Sequence, residues 1–447
     1  MNNNMLCMGL AVVWGLAGSA LEAQERPVTL REAVEAARSA SPDVLAARSR
    51  AEAARQGRRA SAAFRLPTVG LEAGAVRSND PVAAFGGRLR QGRFTQADFD
   101  PAGLNHPDAL TDWSGAVGAL WAPLDFSADA AYRAAQAEAE AAGLGAEWAA
   151  RAAAFRGEAR YVEAVGAQRR LTAAESALAA ARENARIMEL RRGEGLLTDA
   201  DVLQARAALE GARARNIDAR RLLDDARGRL AVAMGWEDGA VPVPVDSVFP
   251  AVPAQLMADL TERPDLLASA ATVRAADARV SQARKARLPQ VQGFARLETH
   301  SSKTFSGAEE DWTVGFQVRV PLFTGFSISS HERAASALRE AAAQDHKSLV
   351  REAEAQVAEA TRAVTSARQG AEAAEAAAAA ATEAARLMRR RFEEGLTTTA
   401  DLLGVEAQAA TLATQAVNAR LGLHLAVARL AFLTDTTSDD LQQGIDR

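Results

Sequence analysis

The sequence predicts a mainly α-helical chain with a small transmembrane β part, written as a tandem repeat. Three observations carry this. First, the stretch RRGEGLLTDADVL at 191–203 returns as RRFEEGLTTTADLL at 390–403, with Gly195 opposite Gly395, Ala200 opposite Ala400 and Asp201 opposite Asp401. Second, no proline occurs between Leu124 and Val241, or from Leu322 to the C-terminus. Third, four short stretches alternate apolar and polar residues with the period of a β-strand.

The repeat runs well beyond the turn. SPDVLAARSRAEAARQGRRASAAFRLPTV (41–69) matches RPDLLASAATVRAADARVSQARKARLPQV (263–291), with Pro42 opposite Pro264, Asp43 opposite Asp265 and Pro67 opposite Pro289. DWSGAVGALWAPL (112–124) matches DWTVGFQVRVPL (311–322). The spacing between partners shortens from the first of these matches to the second, which puts a longer insert in the first copy, between Val69 and Asp112. A period of about 200 residues is far longer than a solenoid repeat, so two copies of one whole motif are fused. The expected layout is a first copy at 24–235 with a β-hairpin at about 67–123, then a proline-rich link at 236–262. A second copy follows at 263–434 with a hairpin at about 289–322, and a tail at 435–447.

Composition bounds the fold. Of 447 residues, 48% are hydrophobic, but much of that is alanine and only 5% are aromatic. Such a chain favours long helices packed closely side by side over a large aromatic core. A net charge of -5 leaves no basic footprint and argues against nucleic acid as a partner. The N-terminus MNNNMLCMGLAVVWGLAGSALEAQ has an apolar run from Met5 to Ala17 followed by small residues. It reads as a secretory leader at 1–23, cleaved after Ala20 or Ala23, although no Lys or Arg precedes the run. The only cysteine, Cys7, lies before most of that run, which argues against a lipidated cleavage site. Its removal would leave no disulfide, thiolate metal site or cysteine nucleophile.

The helices follow from the proline pattern, because proline inside a helix costs about 3 kcal/mol or more. In the first copy they are expected at about 43–66, 127–192 and 198–234, and in the second at about 265–288, 327–392 and 398–432. Gly195 and Gly395 can supply the left-handed residue that ends a helix. Thr198 and Thr398 then serve as N-caps, with Asp201 and Asp401 three residues on. The long helix would reach ~100 Å at ~1.5 Å per residue, alongside two shorter ones stacked end to end. Glycines at 143, 145, 157 and 166 weaken an unbroken helix there.

The strands lie between the first and the long helix of each copy. At 312–322, Trp312, Val314, Phe316, Val318, Val320 and Leu322 oppose Thr313, Gly315, Gln317 and Arg319. At 290–299, Val291, Gly293, Ala295 and Leu297 oppose Gln290, Gln292, Arg296 and Glu298, with Phe294 the exception. In the first copy, Val69, Leu71, Ala73 and Ala75 oppose Thr68, Gly70, Glu72 and Gly74, while Trp113, Val117, Ala119 and Trp121 oppose Ser114, Ala116 and Gly118. Each is about as long as a tilted transmembrane strand. One apolar and one polar face suit a barrel with lipid outside and water inside; two soluble hairpins on a core are the other reading of the same alternation. Glu72, Arg296, Glu298 and Arg319 would face the water-filled interior. Four strands cannot close a barrel, so closure would take several chains. The loop at about 78–111 is long and the matching one at about 301–310 is short. Trp113 and Trp312 would mark the outer membrane interface, and Phe323 and Phe326 the inner one, or all four could serve ordinary packing.

In this order, the tandem unit, the PLFTGF at 321–326 and EEGLTTTADLL at 394–403 resemble the TolC-like outer-membrane efflux proteins, over about 28–435. The resemblance implies a homotrimer in the outer membrane. Three chains would close a twelve-stranded β-barrel, and their helices would form a periplasmic α-barrel with an equatorial belt from 24–40, the 236–262 link and the tail. It implies passive export as the exit duct of a tripartite efflux pump or type I secretion system, with a periplasmic adaptor and an inner-membrane pump of RND or ABC type as partners. Under it the two repeated turns, with Gly195, Leu196, Thr198, Gly395, Leu396 and Thr398, sit at the tunnel mouth and meet the adaptor. The family often has an aromatic three residues before the tip glycine; Phe392 fits, but Arg192 departs. Asp199, Glu393 and Glu394 are candidates for an acidic aperture, or simply solvated helix ends.

No catalytic constellation is visible, so no enzyme and no cofactor is expected. His106, His300, His331, His346 and His424 are scattered without ligand spacing, and no metal site is expected. The competing reading is a soluble periplasmic helical adaptor or scaffold; the four membrane-length strands separate the two. A coiled-coil structural protein fits the repeated strand segments less well.

Overall fold

The computed structural model describes residues 24–237, 239–245, 260, 262–304 and 308–434. The expected leader with Cys7, most of the proline-rich link and the tail lie outside these residues. The described chain is mostly helical and forms two compact units, each drawing on both halves of the sequence.

The first unit comprises residues to Ser41, Ala153–Val252 and Ala363–Arg429. It opens with β1 (Glu25–Val28) and α1 (Leu30–Ala40), a segment to which the sequence reading assigned no element. Thr29 and Glu32 form a reciprocal capping box at the start of α1. β1 pairs in parallel with β4 (Val241–Pro244), so the N-terminal strand and the start of the link make a small two-stranded sheet. The core here joins Val28, Ala33, Tyr161, Val162, Val165, Leu223, Leu230 and Met234. The Tyr161 hydroxyl donates to the Val28 carbonyl at 3.2 Å, satisfying a fully buried phenol. Gly157 is needed for close approach, since a Cβ there would meet the Ala37 Cβ at 2.7 Å and the Ala33 carbonyl at 3.0 Å.

The second unit comprises Pro42–Ala152, Pro253–Arg362 and the chain from Leu430. α2 (Pro42–Ser61) ends earlier than expected and passes into a 3₁₀ turn at Ala62–Arg65. β2 (Thr68–Ser78), β3 (Leu110–Leu124), β5 (Gln290–Ser301) and β6 (Glu309–Arg319) make one antiparallel sheet in the order β2-β3-β5-β6. The segment at about 78–111 is more than a loop. It folds into α3 (Pro81–Arg90), a 3₁₀ turn at Gln96–Phe99 and α4 (Pro101–Asn105), each with a local cap that composition alone did not weigh. α7 (Pro264–Lys285) begins with proline at its first turn, where the missing N–H costs nothing.

The long helices α5 (Phe126–Gly193) and α8 (Ser327–Glu393) run without a break past every glycine that weakened the expectation. α6 (Asp199–Met234) and α9 (Thr399–Thr434) follow them after short turns. Gly235, left-handed at φ 72°, ends α6 where a Cβ would meet the Ala40 carbonyl oxygen at 2.7 Å.

Candidate functional site

The two turns share their backbone hydrogen bonds and their Thr–Asp caps. At the first, the Gly195 N–H donates to Arg192 O at 2.9 Å and the Leu196 N–H to Arg191 O at 2.9 Å. At the second, Gly395 N–H donates to Phe392 O at 3.0 Å and Leu396 N–H to Arg391 O at 2.8 Å. Both glycines are left-handed, at φ 77° and 76°, a conformation that costs other residues about 1 kcal/mol or more. Thr198 and Asp201 cap each other, hydroxyl to carboxylate at 2.6 Å and Asp201 N–H to hydroxyl at 3.3 Å. Thr398 and Asp401 repeat this at 2.6 and 3.2 Å. The Thr198 hydroxyl, then its N–H, hold the Asp201 carboxyl below the usual aspartate range. Asp401 is held down by the Thr398 hydroxyl and N–H, then by Thr397 and Arg391. These rigid turns leave Leu196 and Leu396 exposed at their tips, at 67% and 62%.

The two hairpins are tied to each other behind the tips. Arg191 donates to Phe392 O at 2.7 Å and Glu393 O at 2.8 Å, and its guanidinium lies 4.8 Å from the Phe392 ring centre. It thus satisfies C-terminal carbonyls of α8 that have no partner within the helix. Phe392 is buried with Met188, Ala205 and Leu402, so it serves packing between the hairpins here. Arg192, the departure from the family aromatic, forms an ion pair with Asp199 at 2.7 Å. Glu393 and Glu394 are exposed. Further from the tips, Glu406 accepts from Arg389 at 2.6 Å and from Asn184 of the other hairpin. The first hairpin carries the same pair with its charges exchanged, Arg206 to Glu189 at 2.8 Å.

On the sheet, the register settles which residues share a face. Val69 lies opposite Ala119, Ala119 opposite Ala295 and Ala295 opposite Val314. The apolar sets of all four strands therefore fall on one side, with Trp113 and Trp312 among them. Glu72, Arg296, Glu298 and Arg319 fall on the other side. Arg296 is held between Glu72, at 3.1 Å, and Glu298, while Arg319 lies further along, opposite Gln290. Phe294, the exception in the alternation, also lies on the polar side. Its ring covers Gly315, where a Cβ would meet Phe294 Cζ at 2.7 Å. Beyond the sheet, Phe323 and Phe326 are exposed at 77% and 71% and meet edge to face. Among the described residues no group of three His, Cys, Asp or Glu is placed to hold a metal ion.

Four aligned strands with opposed apolar and polar faces, joined to very long helices, give the chain a sheet suited to a boundary between lipid and water. The chain belongs to the outer membrane efflux protein family, whose model matches residues 33–236 and 258–435. OprJ of Pseudomonas aeruginosa is 27% identical over 248 residues, which is 53% of this chain and 51% of OprJ. Protein CyaE of Bordetella pertussis is 33% identical over 179 residues, 37% of each chain. The matched stretches thus span about half the length of these curated relatives, or less. The crystal structure of the Campylobacter jejuni CmeC outer membrane channel has the same fold, with a TM-score of 0.78 at 18% identity over 93% of this chain and 89% of that one. The chain is accordingly an outer-membrane protein of an efflux family rather than an enzyme family. The alternative of a soluble periplasmic scaffold is set aside with it.

Proposed function

We propose that this protein is the outer-membrane exit duct of a tripartite efflux pump or type I secretion system, conducting small molecules or other cargo passively from periplasm to exterior. The observation that carries this reading is the common apolar face of all four strands, continuous across a sheet too narrow to close on itself. Three chains would complete a twelve-stranded barrel, with Glu72, Arg296, Glu298 and Arg319 lining the water-filled interior. Trp113 and Trp312 would sit at the outer interface with lipid, Phe323 and Phe326 at the inner one. The helices of the trimer would form the periplasmic tunnel, and β1, α1 and the link its equatorial belt.

The two repeated turns would be the tunnel mouth. Gly195, Leu196 and Thr198, with Gly395, Leu396 and Thr398, would present six like tips per trimer to a periplasmic adaptor, itself bound to an inner-membrane pump of RND or ABC type. The matching turn geometry and the exposed leucines support this reading. Asp199, Glu393 and Glu394 would ring the aperture, with Asp199 partly neutralised by Arg192. Single-channel recording in planar bilayers tests the whole. Cation-blockable, stable conductance is the expected result, and its change in Asp199→Ala places that carboxylate at the aperture. Protein that inserts but never conducts would overturn the duct.

A further inference from the structure

The insert between β2 and β3 has no counterpart in the second half of the chain, and its contacts are one-sided. Ala84, Gly87 and Gln91 form one face of α3 and its C-cap, and all three are buried. That face lies on the sheet. A Cβ on Gly87 would overlap the Leu110 side chain, and a Cβ on Gly92, at φ 62°, would meet Glu309 Cγ at 2.9 Å. The Gln91 amide donates to Thr111 O at 2.9 Å and to Asp112 Oδ1 at 2.8 Å. The other oxygen of Asp112 meets His300 Nδ1 at 2.8 Å. By register, Leu110, Asp112, His300 and Glu309 all belong to the polar side of the sheet, none to the apolar side. On that polar side of β5, His300 is buried, whereas Phe294 and Arg296 are exposed.

The insert is also internally stapled. Phe85, Phe94 and Phe99 meet edge to face at 4.9 and 5.1 Å, Arg88 pairs with Asp98, and Asp80, Thr95 and Asp100 each cap a short helix. A segment so fixed is a folded body rather than a loop free to swing outward.

We propose that residues 79–109 are a lid folded over the polar face of the sheet, which sets the size limit for solutes leaving through the outer mouth. Asp112 is the clasp, joining Gln91 of the lid to His300 of the second β-hairpin. The proposal rests on the channel reading above, in which that polar face lines the pore, and three such lids would converge there. The test is conductance and polymer exclusion of the purified full-length protein in planar bilayers, using polyethylene glycols of graded size. Replacing 81–105 by a short Gly/Ser segment is expected to raise conductance at least roughly twofold and to admit larger polymers, since pore radius governs both. Gln91→Ala, which leaves the sheet and the phenylalanine cluster untouched, is expected to shift the polymer limit upward and covers the case in which the excised chain fails to assemble. Wild-type conductance and polymer limit in either assembled variant would overturn the lid. A wild-type protein that forms no channel would instead remove the conduction reading beneath it.

Discussion

Arg191 does three things at one point: it caps two carbonyls of α8, lies against Phe392, and thereby fastens one hairpin turn to the other. Hydrogen bonds from a charged donor are worth about 1.5–3 kcal/mol, so Arg191→Ala is expected to loosen the tips by about that much. Hydrogen exchange at 190–200 and 390–402 would accelerate together, while the sheet stays protected. At the glycines, Gly195→Ala is expected to cost about 1–2 kcal/mol through its left-handed backbone, with no neighbour to displace. The caps make the tips sensitive to acid. Asp201 and Asp401 have folded-state pKa values below those of the unfolded chain. Their contribution is therefore complete above the ordinary aspartate value and is lost as pH falls through the lowered one. Fraying of the first turns of α6 and α9 is expected in that acid window, with little change at neutral pH. Far-ultraviolet circular dichroism of wild type against Thr198→Ala, which removes one cap, checks it.

Among the helices, the exchanged ion pairs show where two like hairpins differ. Glu189–Arg206 is exposed on both sides, and such pairs are worth about 0.2–1 kcal/mol. Glu406 is largely buried and also takes the Asn184 amide from the neighbouring hairpin. Arg389→Ala is thus expected to destabilise by about 2–3 kcal/mol, and Arg206→Ala by well under 1, measured as shifts in thermal unfolding. On α9, burial, helped by Arg420, lowers His424 from 6.5 to about 4. A histidine depressed in the folded state stabilises fully above its unfolded value, and that stability is lost as pH falls from about 6.5 toward 4; His424→Leu is expected to flatten this loss. The long helices and the four strands were legible in the sequence because proline, capping threonines and period-two alternation are local signals. α1 and β1 were not, since β1 is defined by pairing with Val241–Pro244, far along the chain. The insert was hidden for another reason: its glycines and prolines mark caps and close contacts as readily as loops. Which turn residues touch the other hairpin was equally invisible, because Arg191 and Arg192 are adjacent in sequence and point to different partners.

For the whole molecule, the sheet presents the decisive problem. Its apolar side is exposed, from Leu71 at 79% to Phe316 at 78% and Trp312 at 75%, and its outer strands β2 and β6 each have one neighbour. Such a surface is stable in lipid only if the edges close, since open sheet edges are not tolerated in hydrocarbon. Under the proposed trimer, three copies joined edge to edge would satisfy both demands at once, and the common register of the apolar faces would make the closed surface continuous. The most direct measurement is the mass of the protein extracted from isolated outer membranes in mild detergent, corrected for bound detergent. A trimer confined to that fraction is the predicted result. A detergent-bound monomer would contradict it, because four strands cannot close a barrel alone.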